Sequence, residues 1–194
     1  MTWTLPPLLE GRHVRLEALE PRHCAGLYAT LEPGELRFIA APTYFWAESL
    51  EAYCAGVRWP ANRFPYAVVR QDSGQVVGST SYFDWSEAHR GLEIGGTWLH
   101  SSQHGRATNP EMKFLLLEHA FETLGAIRVQ LKTHHLNLRS QRAIEKLGAT
   151  REGVLRNHMI YPDGSVRHSV YFSILDTEWP EVKRGLLERL AISG

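Results

Sequence analysis

Apolar side chains recur at intervals of three and four through Phe114, Leu117, Phe121 and Leu124, with Leu116 and Ala120 beside them. That spacing predicts an amphipathic helix packed on a sheet, beginning near Asn109 and ended by Gly125. Directly after it, Ile127, Val129, Leu131 and Thr133 alternate with Arg128, Gln130 and Lys132, the period of a strand. Asn137 can cap a helix from Leu138 to Leu147, closed by Gly148. Earlier in the chain, His13 to Leu19 alternates as a strand, and Pro21 opens a short helix to about Leu31. Glu32 to Phe45 is irregular, and Ala47 to Val57 reads as a second helix. Tyr66–Arg70 and Gln75–Phe83 are strands around the turn Asp72-Ser73-Gly74. Leu92–Leu99 is a strand whose Gly95-Gly96 pair implies a bulge or a close approach to the backbone. Ala149–Tyr161 and Val166–Leu175 are strands joined by Tyr161-Pro162-Asp163-Gly164, and Asp176–Leu190 closes as a helix. The order β α α β β β α β α β β α predicts an α/β fold with a partly antiparallel sheet, not a doubly wound one.

Composition narrows the class. A chain of 194 residues, 43% hydrophobic and 22% charged, reads as one globular domain over residues 1–194 with a sizeable core. Lys and Arg number 21, as do Asp and Glu, so no basic excess points to nucleic acid. No apolar run approaches the ~20 residues of a membrane span. The start, MTWTLPPLLEGR, lacks the features of a signal peptide. Cys24 and Cys54 form no CxxC and are expected as two unpaired thiols in a reducing cytoplasm. A monomer or a homodimer is expected.

The candidate chemistry sits between the strand ending at Leu99 and the helix starting near Asn109. The intervening turn, His104-Gly105-Arg106-Ala107-Thr108, leads into a helix N-terminus, which carries unpaired N–H groups and partial positive charge. Small residues at Gly105 and Ala107 let an anion approach the backbone, so the turn suits a phosphate. A tight structural loop fits the same residues. It is neither a Walker loop nor a GxGxxG fingerprint, and no acidic residue follows to hold a ribose. A second constellation, THHLNLRSQRAIEKLGATREGVLR, sets Asn137 and Ser140 three apart on one side of a helix start. If the strands Leu92–Leu99 and Ile127–Thr133 lie parallel and adjacent, both helix starts share the sheet edge where α/β folds bind ligands. Capping alone also accounts for Asn137.

The run from Leu92 through HGRATN, the helix, NLRSQRAIEKLGA and REGVLR resembles the GNAT superfamily of N-acetyltransferases. It is most similar to the RimJ/RimL-type branch that acetylates ribosomal-protein N-termini. The likeness covers about His13 to Leu175. The family motif, Gln or Arg, then two residues, Gly, one residue, and Gly or Ala, falls on Ser102–Ala107. Gly105 and Ala107 match, whereas Ser102 departs from the first position, with Gln103 beside it. The resemblance implies the GNAT fold, a mixed and mostly antiparallel sheet of about seven strands with a V-shaped splay between the fourth and fifth, flanked by helices. It implies acetyl-CoA as cosubstrate and an amine acceptor. The turn from His104 would hold the pyrophosphate on the amides of Gly105, Arg106, Ala107, Thr108 and Asn109. Pantetheine would run along Trp98-Leu99, with an N–H there meeting the oxyanion, Ser140 would lie near the thiol, and Asn137 would also contact the cofactor. Ser140 takes the role of donor to the leaving thiolate. Glu93 is the first choice for the base that accepts the amine's proton, and a partly solvated strand carboxylate is the other reading of it. Some RimL-like relatives carry an acidic residue where this chain reads Asn157-His158-Met159, and His158 could substitute for it.

Other features weigh less. His100 and His104 are four apart in a loop without a carboxylate or cysteine nearby, and no metal is expected. His134-His135 reads as a solvent-facing pair at a strand end. Arg156 and Arg167 could meet acidic substrate groups or stay on the surface. Two alternatives remain open from the residues: a non-catalytic CoA-binding module, and a nucleotide-binding protein built on an all-parallel sheet.

Overall fold

In the computed structural model, residues 3–30, 38, 62–161 and 163–192 are described. The strands are β1 (Leu8–Glu10), β2 (Val14–Ala18), β3 (Arg63–Arg70), β4 (Val76–Ser86), β5 (Gly91–Leu99), β6 (Arg128–His134), β7 (Thr150–Ile160) and β8 (Val166–Leu175). They form one sheet in the order β1-β2-β3-β4-β5-β6-β8-β7. Every neighbouring pair is antiparallel except β5 with β6. An all-parallel nucleotide-binding sheet is therefore excluded. The helices are α1 (Cys24–Ala29), α2 (Thr108–Glu118), α3 (Leu138–Glu145) and α4 (Trp179–Ile192).

The strands follow from alternation. Along β6, Val129, Leu131 and Thr133 are buried while Arg128, Gln130 and Lys132 are half-buried on the other face. One face of the sheet packs on α2 around Tyr66, Tyr82, Ile94, Met112, Leu116 and Phe172. The Tyr82 hydroxyl donates to Leu116 O at 2.5 Å, which satisfies a buried phenol and fixes the helix on β4. At its far end α2 runs into a π-turn over His119–Thr123 before Gly125, at φ 67°, ends it.

Among the described residues the sheet has eight strands, one more than expected. The addition is β1, three residues after Pro6-Pro7, too short to show a period of two. The expected splay between the fourth and fifth strands falls between β5 and β6 in this numbering. The expected helix Ala47–Val57 and, apart from Phe38, the irregular stretch Glu32–Phe45 lie outside the described residues. The expectation of two free thiols is corrected: Cys24 is disulfide-bonded, and the chain's other cysteine, Cys54, lies outside the described residues. Cysteine use therefore gives no support to a reducing compartment. No helix among the described residues is long and apolar enough to cross a membrane.

Candidate active site

β5 and β6 are in register at only three positions, Gly91↔Arg128, Leu92↔Val129 and Glu93↔Gln130. Both strands then continue without pairing to each other, β5 to Leu99 and β6 to His134. The glycine pair accounts for the divergence. The β4–β5 register shifts between Ser79 and Ser81, opposite Trp98 and Gly95, and Gly96 takes φ 57°, a conformation that L side chains rarely adopt. Gly95 serves a different need, since a Cβ there would come within 2.8 Å of Glu93 Oε1. One glycine bends the strand and the other leaves room for a carboxylate.

The strands open onto a cavity of about 490 Å³. Of the expected site residues, Glu93, Trp98, Leu99, His104, Gly105, Asn109, Asn137 and Ser140 line it. Arg106, Ala107 and Thr108 line an adjoining cleft of about 390 Å³ that shares Gln103 and Gly105 with the first. His158 lines neither. The expected parallel arrangement does bring the starts of α2 and α3 to one sheet edge.

The turn before α2 is held from within. Gln103 is buried, accepts from Thr108 Oγ1 at 2.8 Å and donates to Ser102 Oγ at 3.0 Å. Gln103 thus ties the turn internally, beside the Ser102 that departs from the family motif. Gly105 sits at φ 75°. The amides of Gly105, Ala107, Thr108 and Asn109 find no acceptor among the described residues, whereas the Arg106 amide reaches Gln103 O at 3.3 Å. Four open N–H groups at the start of an 11-residue helix make a concave donor surface of the kind that takes a phosphate or another anion. At α3, Asn137 Oδ1 accepts from the Ser140 amide at 3.0 Å, so Asn137 caps the helix while lining the cavity.

A polar cluster occupies the sheet face opposite α2. Glu93 is 3% exposed. Its Oε2 lies 2.8 Å from Lys132 Nζ and accepts from Gln130 Nε2 at 2.9 Å. His158 Nδ1 is 2.9 Å from Ser169 Oγ, and its Nε2 is 3.2 Å from the Tyr171 hydroxyl. Burial, with the charges of Lys132 and Arg167, holds the His158 imidazole below its ordinary pKa and so neutral. His134 is not in solvent, as its position had implied. It is buried and stacks on His135, with ring centroids 4.5 Å apart.

Three cavity residues escaped the sequence analysis or were undervalued by it. Lys113 on α2 is 5% exposed and donates to Thr97 Oγ1 at 2.8 Å, and burial pushes its pKa down to about 7, with Glu93 opposing. A signal existed: Lys113 precedes Leu117 by four and Ala120 by seven, which places it on the buried face. Arg63 is 7% exposed, with its guanidinium 4.8 Å from the Phe83 ring centroid. Arg167 is buried rather than a surface charge, while Arg156 is exposed. Among the described residues, no group of three or more His, Cys, Asp or Glu side chains could hold a metal ion.

The chain resembles known proteins in both sequence and structure. Residues 13–150 match the model of the family described as "Acetyltransferase (GNAT) domain". A crystal structure of a provisionally assigned acetyltransferase from T. thermophilus is 42% identical, with a TM-score of 0.89 over 97% of this chain and 100% of that one. The uncharacterized N-acetyltransferase YoaA of Bacillus subtilis is 27% identical over 121 residues, 62% of this chain, and the match spans 63% of that relative's length. The structure of RimJ of Mycobacterium smegmatis in complex with CoA-disulfide is 20% identical with a TM-score of 0.71, over 91% of this chain and 88% of that one, a likeness of fold.

Proposed function

The chain belongs to the GNAT acetyltransferase family, and from that premise we propose that it moves the acetyl group of acetyl-CoA directly to a primary amine, on a protein N-terminus or a small molecule. The observation that carries this reading is the joining of two features. The β5–β6 slot is open at one edge and meets four unpaired amides at the start of α2. An extended thioester substrate with a phosphate-bearing end fits that combination. The RimJ likeness, at 20% identity, supports the fold and does not select an acceptor.

In this reading the amides of Gly105, Ala107, Thr108 and Asn109 bind the pyrophosphate. The edge of β5 at Trp98-Leu99 aligns the pantetheine arm and turns an N–H toward the oxyanion of the tetrahedral intermediate. The amine nitrogen forms a C–N bond to the carbonyl carbon as the C–S bond breaks. The proton lost by the amine leaves through a base, and the departing sulfur ends as a thiol. Glu93 accepts that proton, directly or through water, with the Lys132 ammonium beside it as counter-ion. His158 is the lesser choice, because both of its ring nitrogens already have partners away from the slot. Ser140, which lines the slot, donates to the sulfur as charge develops there.

The test is release of free thiol from acetyl-CoA against a broad amine panel, with products identified by mass. One thiol released per amide formed is expected. Failure of every amine to be acetylated, by a protein that still binds acetyl-CoA, would sink the reading.

A further inference from the structure

Among the described residues, five cationic side chains line the slot, Arg63, Lys113, Lys132, Arg139 and Arg167, against one carboxylate, Glu93. The charges are not distributed evenly. Arg139 Nη1 lies 3.3 Å from His104 Nδ1, at the turn before α2, and so belongs to the end assigned to the cosubstrate. Lys132 is matched by Glu93 at 2.8 Å. Lys113 lies on the α2 side, against Thr97.

Arg167 stands apart. It begins the inward-facing series of β8, Arg167, Ser169 and Tyr171, on the face that also carries Lys132 and Glu93. It is 4% exposed, and its Nε–H donates to Ser169 Oγ at 2.9 Å. No Asp or Glu among the described residues bonds to it. Arg167 and the proposed base Glu93 line the same slot. A guanidinium taken out of water is strongly disfavoured unless an anion replaces the lost hydration. Its planar fork matches a carboxylate.

We infer that Arg167 is the seat of a carboxylate on the acceptor, so the amine acetylated here is one that also carries a carboxylate. The inference rests on the transferase reading and narrows its substrate. Arg63 and Lys132, the latter matched by Glu93, line the same slot. Polyamines and aminoglycosides would bring further positive charge into it and are disfavoured. A free amino acid and a peptide with an acidic N-terminal region present the same chemistry, and the experiment separates them.

The wild-type protein is assayed with acetyl-CoA against the twenty amino acids, their carboxamides, spermidine, kanamycin, and peptide amides beginning with acidic or neutral residues. Carboxylate-bearing acceptors should exceed their neutral counterparts at least a hundredfold in kcat/KM. Preference for free amino acids over acidic peptides, or the reverse, identifies the source. In Arg167→Met that preference should collapse, chiefly through KM for the acceptor, and Arg167→Lys should restore part of it. Calorimetry with acetyl-CoA checks that each variant keeps its fold. Equal or better turnover of spermidine, kanamycin or the carboxamides would overturn the inference while leaving the transferase reading intact. Should no amine turn over, binding of N-acetyl amino acids in the presence of CoA decides the matter. Binding lost in Arg167→Met sustains the anion seat, and no binding by the wild type ends it. If Arg167→Met fails to fold, the wild-type preference alone decides.

Discussion

Glu93 and Lys113 approach the slot from opposite faces of the sheet, and each makes a different demand on pH. Glu93→Gln keeps the shape and the Gln130 contact but removes the proton acceptor. The acetylation rate should fall most near neutral pH and partly recover at high pH, where the free amine is abundant. A uniform loss at every pH would remove Glu93 from the base role. Lys113 carries a stability signature. The unfolded chain holds its proton up to the ordinary lysine value of 10.5, whereas the fold releases it near 7. Between those values the unfolded state binds more protons, so stability should rise as pH climbs from about 7 to about 10. Lys113→Met should flatten that rise in a plot of Tm against pH, and an unchanged slope would mean that the ammonium is not desolvated as described. Asn137, Ser140 and Gly105 were legible in the sequence because caps and turns are written in residues a few positions apart. Arg63 and Arg167 were not, because a cation in a strand has the same local pattern whether it faces water or a cavity. Only the strand order of the sheet, from β3 through β4, β5 and β6 to β8, sets them on one slot.

The element that organises the site is α2, and a carboxylate on its first turn fixes its start. Glu111 accepts from the amides of Arg12, His13 and Val14 at 2.8, 2.7 and 2.7 Å, tying the β1–β2 turn to the helix. Gly11 is required beside it, since a Cβ would come within 2.6 Å of the Glu111 side chain. Glu111→Ala strands these donors and should cost about 3 kcal/mol in chemical denaturation. It should also weaken acetyl-CoA binding, because the turn from Gly105 to Asn109 loses its anchor. A loss under about 1 kcal/mol would show that water replaces the carboxylate without strain. The long elements were readable from periodicity, down to the glycine stops at Gly125 and Gly148. The link between the β1–β2 turn and Glu111 was not, because it joins residues nearly a hundred apart in sequence. Nor was β1, whose three residues pair only because β2 is already in place.

On the scale of the molecule, the central claim is that the sheet is left open between β5 and β6 to receive acetyl-CoA as an added strand. Seven strand pairs close the sheet, and the parallel one is in register for three residues only. Beyond Glu93 and Gln130 the facing edges of β5 and β6 are not paired to each other, while β5 stays paired to β4 and β6 to β8. Hydrogen exchange followed by mass spectrometry, with and without saturating acetyl-CoA, reads that backbone directly. The peptides covering Ile94–Leu99 and Gln103–Asn109 should exchange readily alone and become protected on binding, while β3 and β8 change little. Protection confined to other segments, under conditions where calorimetry shows acetyl-CoA bound, would contradict the account.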